Sequence, residues 1–245
     1  MCFGPTTART IAACTTIIDA RDAYPVREVA IAYRNRGLGY RAKGQNERAL
    51  RDYDESIRTD PGYVDSYISR GNIYVDRDES DRALQDYDHA LRLRPGYIHA
   101  IHGRGHALLY KGEFARAIQA YDEALKIDPN FIVSTVARCW AWVAIDKLEA
   151  ALADCNDALR RRPTYPNALN GRGAAYLKLG EPERALADFQ AAHDIDPNDS
   201  LALFGRGVSR RKTGDTDGAE ADIAEARRLR SDVDKRFKHF WRLDL

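Results

Sequence analysis

The stretch VDSYISRGNIYVDRDESDRALQDYDHALRLRPGY, from Val64 to Tyr97, decides the fold, because it is one copy of a unit that returns along most of the chain. Pro61, Pro95, Pro129, Pro163 and Pro197 follow one another at intervals of 34 residues. Around them the same residue types come back in register. A glycine-led column reads Gly37, Gly71, Gly105, Cys139, Gly173, Gly207, and an alanine column reads Ala49, Ala83, Ala117, Ala151, Ala185, Ala219. An aromatic-led column reads Tyr53, Tyr87, Tyr121, Cys155, Phe189, Ile223, followed by the small residues Ser56, Ala90, Ala124, Ala158, Ala192, Ala226. A fixed period of this length means stacked supersecondary units, none of which buries its apolar face alone.

Each period divides in two. Tyr67, Gly71 and Tyr74 stand at i, i+4 and i+7, as do Ala83, Tyr87 and Ala90, so each half is one face of an α-helix. Short polar joints such as AKGQN, DRDES, YKGEF and KLGEP separate the halves, and DPG, RPG, DPN or RPT closes the period. The unit is therefore helix A, turn, helix B, turn. A mid-helix glycine costs about 1 kcal/mol against alanine. Its recurrence predicts close approach of helix A to helix B, with the aromatic of B filling the space beside it.

Composition suits thin layers with one buried seam each: 44% of residues are hydrophobic and 31% charged. The 38 basic and 37 acidic residues nearly cancel, leaving no long-range field to draw nucleic acid. No apolar run approaches the roughly 18–20 residues needed to cross a bilayer, so membrane insertion is not expected. The opening MCFGPTTARTIAAC lacks a charged leader before an apolar core. As written the chain reads as cytoplasmic; removal of a signal peptide would instead place it in the bacterial periplasm. From Thr6 to about Ala20 a short helix is expected, and TIAACTTII superposes on ALRDYDESI, with Cys14 falling where Tyr53 falls.

Arginine precedes the glycine column in all six periods (Arg36, Arg70, Arg104, Arg138, Arg172, Arg206), and sixteen residues later stand Asp52, Asp86, Asp154, Asp188 and Asp222, with Ala120 breaking the run. An arginine ladder for an anionic ligand is one reading. The paired aspartates favour another, an Arg–carboxylate bridge between helices A and B.

These columns resemble the tetratricopeptide repeat, in a bacterial form with RG…DYD…AL…P units. The resemblance implies an all-α, right-handed α-solenoid superhelix. Its six repeats are 30–63, 64–97, 98–131, 132–165, 166–199 and 200–231. A degenerate half-repeat or capping helix (1–29) precedes them and a C-terminal capping helix (232–245) follows. The sixth repeat departs from the pattern at Arg210 and Ser231, and the tail stripe Val233, Phe237, Phe240 and Trp241 is expected to cover it. Cys139 and Cys155 occupy the glycine and aromatic columns of one repeat, where either a disulfide or two small buried thiols fits. The resemblance, to a group with exported members, favours the disulfide, and a second between Cys2 and Cys14.

The resemblance also implies a concave groove lined by the A helices and taking a segment of another protein. Mapped here, the groove offers Arg34, Arg41, Asn72, His102, His106, Tyr110, Trp140, Asn170, Lys178 and Arg211. Its centre is aromatic, with Trp140 and Tyr110 as anchors and a polar rim. Asn72 and Asn170 are candidates to hold a peptide backbone. A carboxylate clamp is not reproduced, because Leu38 stands where asparagine is wanted after Arg34. His99, His102 and His106 share roughly one helix face, a candidate metal or pH-responsive patch, although no carboxylate or cysteine accompanies them. No nucleophile elbow, phosphate loop or zinc-protease motif is present, so neither catalysis nor a cofactor is expected. The reading is a non-enzymatic scaffold or adaptor, monomeric or weakly self-associating. The alternatives are a structural oligomer built through its terminal helices and a metal- or pH-responsive binder.

Overall fold

The computed structural model describes residues 8–243. Among them are fourteen α-helices and no strand. Helix α1 (Ala8–Asp19) leads. The A helices are α2 (Val26–Ala42), α4 (Val64–Asp76), α6 (Ile98–Tyr110), α8 (Ile132–Ala144), α10 (Pro166–Lys178) and α12 (Ser200–Lys212). Each is followed by its B helix: α3 (Asn46–Thr59), α5 (Ser80–Leu93), α7 (Phe114–Ile127), α9 (Leu148–Arg161), α11 (Pro182–Ile195) and α13 (Thr216–Leu229). The tail forms α14 (Val233–Trp241). The chain divides into two compact units, Met1–Tyr110 and Lys111–Leu245. The division falls between the two helices of the third repeat, where the sequence period shows no break.

The turn from A to B requires one residue in the left-handed region. Glycine supplies it at Gly44, Gly112, Gly180 and Gly214, and aspartate stands there at Asp78 (φ 60°) and Asp146 (φ 59°).

Packing follows the columns. Ala49, Ala83, Ala117, Ala151, Ala185 and Ala219 are fully buried. In the first unit the Tyr87 ring lies between two glycines: a Cβ would come within 3.0 Å of the ring at Gly71 and within 2.4 Å at Gly103. In the second unit Phe189 is held in the same way between Gly173 (2.9 Å) and Gly205 (2.4 Å). Gly103 and Gly205 belong to a second glycine position, in the A helix of the following repeat, that the column reading missed. One ring thus cements three helices, and the bare backbone on either side lets them close on it.

The arginine column is structural. Arg36, Arg70, Arg138, Arg172 and Arg206 each grip the aspartate sixteen residues on with two bonds of 2.5–2.9 Å. The remaining guanidinium nitrogen reaches back to the preceding repeat. Arg70 meets Asp54 at 2.7 Å, Arg138 meets Asp122 at 2.5 Å, Arg172 meets Asn156 at 2.8 Å and Arg206 meets Gln190 at 3.0 Å. The bonds to Asp52, Asp154 and Asp188 hold Arg36, Arg138 and Arg172 above the usual guanidinium pKa. In these five repeats the fork ties A to B, and in four of them it also ties the repeat to the one before it.

Helix α1 packs on α2, with Cys14 and Ile18 buried beside Val29, Ala32 and Tyr33. Arg36 contacts Thr15 at 3.4 Å, the position that Asp54 occupies for Arg70. Cys139 and Cys155 are joined, with their Cα atoms 5.7 Å apart. Cys14 is fully buried; the proposed Cys2–Cys14 pair falls on Cys2, which lies outside the described residues.

Candidate partner-binding face

In the second unit the A helices α8, α10 and α12 carry the aromatic surface. Pro166 opens α10 at a position where its missing N–H costs nothing. Asp199 caps α12 by accepting from the backbone N–H groups of Leu201 and Ala202. Trp140 lies along α10, its Nε1 donating to the Asn167 carbonyl at 2.7 Å. Gly171 makes room for it, since a Cβ there would sit 2.8 Å from the indole. Phe204 and Val208 project from α12 and are buried.

This surface is occupied. Helix α14 follows α13 after a link of only three residues, 230–232, and packs on α12 of the sixth repeat and beyond it. It lies across α8 and α12. Trp241 meets Trp140 at 5.0 Å between ring centroids, Phe240 meets Trp140 at 5.4 Å, and Phe237 meets Phe204 at 4.9 Å. Val233, Phe237, Phe240 and Trp241 are at most 1% exposed, whereas Lys235, Lys238 and Arg242 face solvent. The aromatic stripe thus packs on Trp140 of α8 as well as on Phe204 of the sixth repeat. The fit is incomplete in one respect: the buried Trp241 Nε1–H has no hydrogen-bond partner among the described residues.

The polar residues assigned to an incoming peptide have internal partners. Arg34 donates to Ser69 (3.1 Å), Arg41 pairs with Asp76 (2.8 Å), and the Asn72 carbonyl accepts from Tyr87 Oη (2.7 Å). Asn170 donates to Asp199 (2.6 Å), although its buried Oδ1 has no partner among the described residues. Lys178, its side chain 8% exposed, donates to the Val143 carbonyl (2.9 Å) and to Asp146 (2.7 Å). Side chains about one period apart sit on neighbouring A helices and satisfy each other there. Arg211 is exposed.

In the first unit the rings of His102 and His106 stack at 6.1 Å, and His106 meets Tyr110 edge-on at 4.8 Å. His99 turns to Tyr97 (5.5 Å), and no group of three metal-ligating side chains gathers among the described residues. Burial, with smaller contributions from His106 and His99, pushes the His102 pKa down to about 3, so this ring is neutral at physiological pH. Tyr110 belongs to the first unit and Trp140 to the second.

Comparison with known proteins agrees with this architecture. Two models of the tetratricopeptide repeat match the chain, one over residues 19–98 and the other over 100–131 and 166–199, together more than half of its length. The chain belongs to the tetratricopeptide repeat family. Such repeats serve as scaffolds for protein–protein interaction, and proteins built from them are in general non-enzymatic. Similar solved structures include a tetratricopeptide repeat protein from Parabacteroides merdae ATCC 43184 (18% identity, 94% of this chain and 91% of that one, TM-score 0.76). PilW, a type IV pilus biogenesis factor, matches at 16% identity over 82% of this chain and 93% of that one, with a TM-score of 0.70. A chain of the APC/C hetero-tetramer Cut9–Hcn1 matches at 15% identity over 94% of this chain and 45% of that one, with a TM-score of 0.76. No curated protein sequence matches. Among the described residues no helix is long and apolar enough to cross a membrane.

Proposed function

We propose that this protein is a non-catalytic scaffold whose second unit holds an amphipathic helical segment of a partner protein across helices α8, α10 and α12. The observation that carries this reading is the seating of α14. A surface that buries Phe237, Phe240 and Trp241 against Trp140 and Phe204 has the aromatic centre from which binding energy comes, flanked by charged residues. The groove residues of the first unit serve in this reading as ties between repeats. The experiment is affinity capture from an extract of the source cells with wild type beside Trp140→Ala. Proteins held by the wild type and lost by the variant support the seat; identical capture by both would move the partner site away from Trp140.

A second reading has one observation of its own. The seat fits a helix of this same chain, so α14 of another copy would fit it equally well. Self-assembly of that kind gives a mass that grows with concentration and that truncation after Ser231 abolishes. A constant monomer mass sets this reading aside.

A further inference from the structure

Helix α14 is held differently from the thirteen helices before it. It has nine residues, the fewest of the fourteen α-helices among the described residues, well short of the length at which a helix persists alone. Its ion pair to the preceding helix, Arg227–Asp234 at 2.6 Å, lies on the exposed surface, where such pairs contribute little. The pair is bidentate, like Arg206–Asp222 between α12 and α13, but its arginine is exposed where Arg206 is buried. Its apolar face, Val233, Phe237, Phe240 and Trp241, is buried, and the Trp241 indole N–H finds no hydrogen-bond partner among the described residues. Trp140 beneath it has its own donor satisfied by Asn167, so in this ring contact the tail is the member with the unmet bond.

We propose that α14 is a tethered competitor for the partner's seat. The partner segment is then an amphipathic helix with apolar anchors at i, i+4, i+7 and i+8, the last three aromatic, that binds by displacing α14. This rests on the reading of the α8/α10/α12 surface as the partner site, and it adds the partner's chemistry and the cost of entry. The three-residue tether keeps the tail at a high effective concentration, so a free helix competes at a disadvantage. If the tail is docked about 99% of the time, the apparent affinity of an external helix falls about 100-fold below its intrinsic value.

The probe is a fluorescently labelled peptide with the sequence of residues 232–245, titrated against the full chain, against Phe237→Ala and Phe240→Ala full chains, and against each variant combined with Trp140→Ala. Both single variants should bind the peptide at least about tenfold more tightly than wild type, and the added Trp140→Ala should abolish the gain. Circular dichroism establishes that the variants are folded. A second measurement needs no variant: in 15N-labelled wild type, saturating unlabelled peptide should strip hydrogen-exchange protection from the amides of 233–241 and leave α12 protected. Equal binding by wild type and variants, or unchanged protection of 233–241 at saturation, overturns the competitor while leaving the seat intact. Absence of peptide binding to every chain, with capture of partners still dependent on Trp140, overturns the proposed partner chemistry alone. Absence of binding together with capture indifferent to Trp140 overturns both the competitor and the seat.

Discussion

In the first unit the A helices α2, α4 and α6 face one another with polar side chains: Arg34 to Ser69, Arg41 to Asp76, and Tyr97 Oη to Asp65 at 2.6 Å. In the second unit the equivalent surface keeps such ties at Asn170–Asp199 and Lys178–Asp146 but is aromatic between them, and it carries the chain's own tail. The repeat columns beneath are the same in both, with buried alanines, a ring between two glycines and arginine forks. The difference teaches that the scaffold and the surface are specified by separate sets of positions. Columns that recur every 34 residues build the stack, and the positions between them are free to be polar in one unit and apolar in the other.

The largest expected effect tests whether the scaffold is equally demanding in both units. Arg172→Ala leaves the buried Asp188 without its bidentate partner, and Arg36→Ala does the same to Asp52. Each should lower stability by about 2–4 kcal/mol in urea denaturation. Arg41→Ala, at the exposed pair with Asp76, should cost under about 1 kcal/mol. Equal losses at all three positions would erase the distinction between column and surface arginines.

Acid should separate the units. The folded pKa of His102, near 3, lies below the unfolded value of about 6.5, so the unfolded chain takes up the proton first. The stability this neutral ring contributes is present above pH 6.5 and is lost as pH falls toward 3, amounting to about 2 kcal/mol by pH 5. Hydrogen exchange between pH 7 and 5 should show α6 losing protection before α12, and His102→Gln should flatten the pH dependence. Loss of both helices in step, independent of residue 102, would count against the assignment.

A matched pair of smaller changes probes the ring sandwiches. Gly103→Ala and Gly205→Ala each force a methyl to within 2.4 Å of a buried ring, and each should cost about 1–3 kcal/mol by thermal melting. A large loss in only one of them would show that one unit relaxes where the other does not.

The smallest effect has the opposite sign. Asp78→Gly relieves a left-handed aspartate and should stabilise by up to about 1 kcal/mol. Asp146→Gly relieves the same strain but removes the partner of Lys178, so its gain should be smaller or absent. Equal gains would mean that the Lys178 tie contributes nothing.

How far the sequence reaches follows from these particulars. The 34-residue period, the helix pairs and the Arg172–Asp188 bridge were legible because each repeats, and a contact made several times over leaves several copies of its signature. Gly103 and Gly205 were harder to see: their position reads Ser69 and Ala137 in other repeats, and its meaning depends on a ring contributed by the preceding repeat. Asn72 and Lys178 were assigned to an incoming peptide because nothing in a linear pattern shows that Tyr87 Oη and the Val143 carbonyl lie within reach.

The sequence by itself determined the all-α repeat, its register and the amphipathic character of residues 233–241, because local periodicity and recurring small residues encode which face of each helix is buried. Only the tertiary structure decided where that last apolar face goes. A stripe at i, i+4, i+7 and i+8 states that something must cover it, and several surfaces would serve. The choice of Trp140 and Phe204 rests on two helices far apart in the chain, α8 and α12, presenting rings within reach of one tail helix, a juxtaposition no local pattern records.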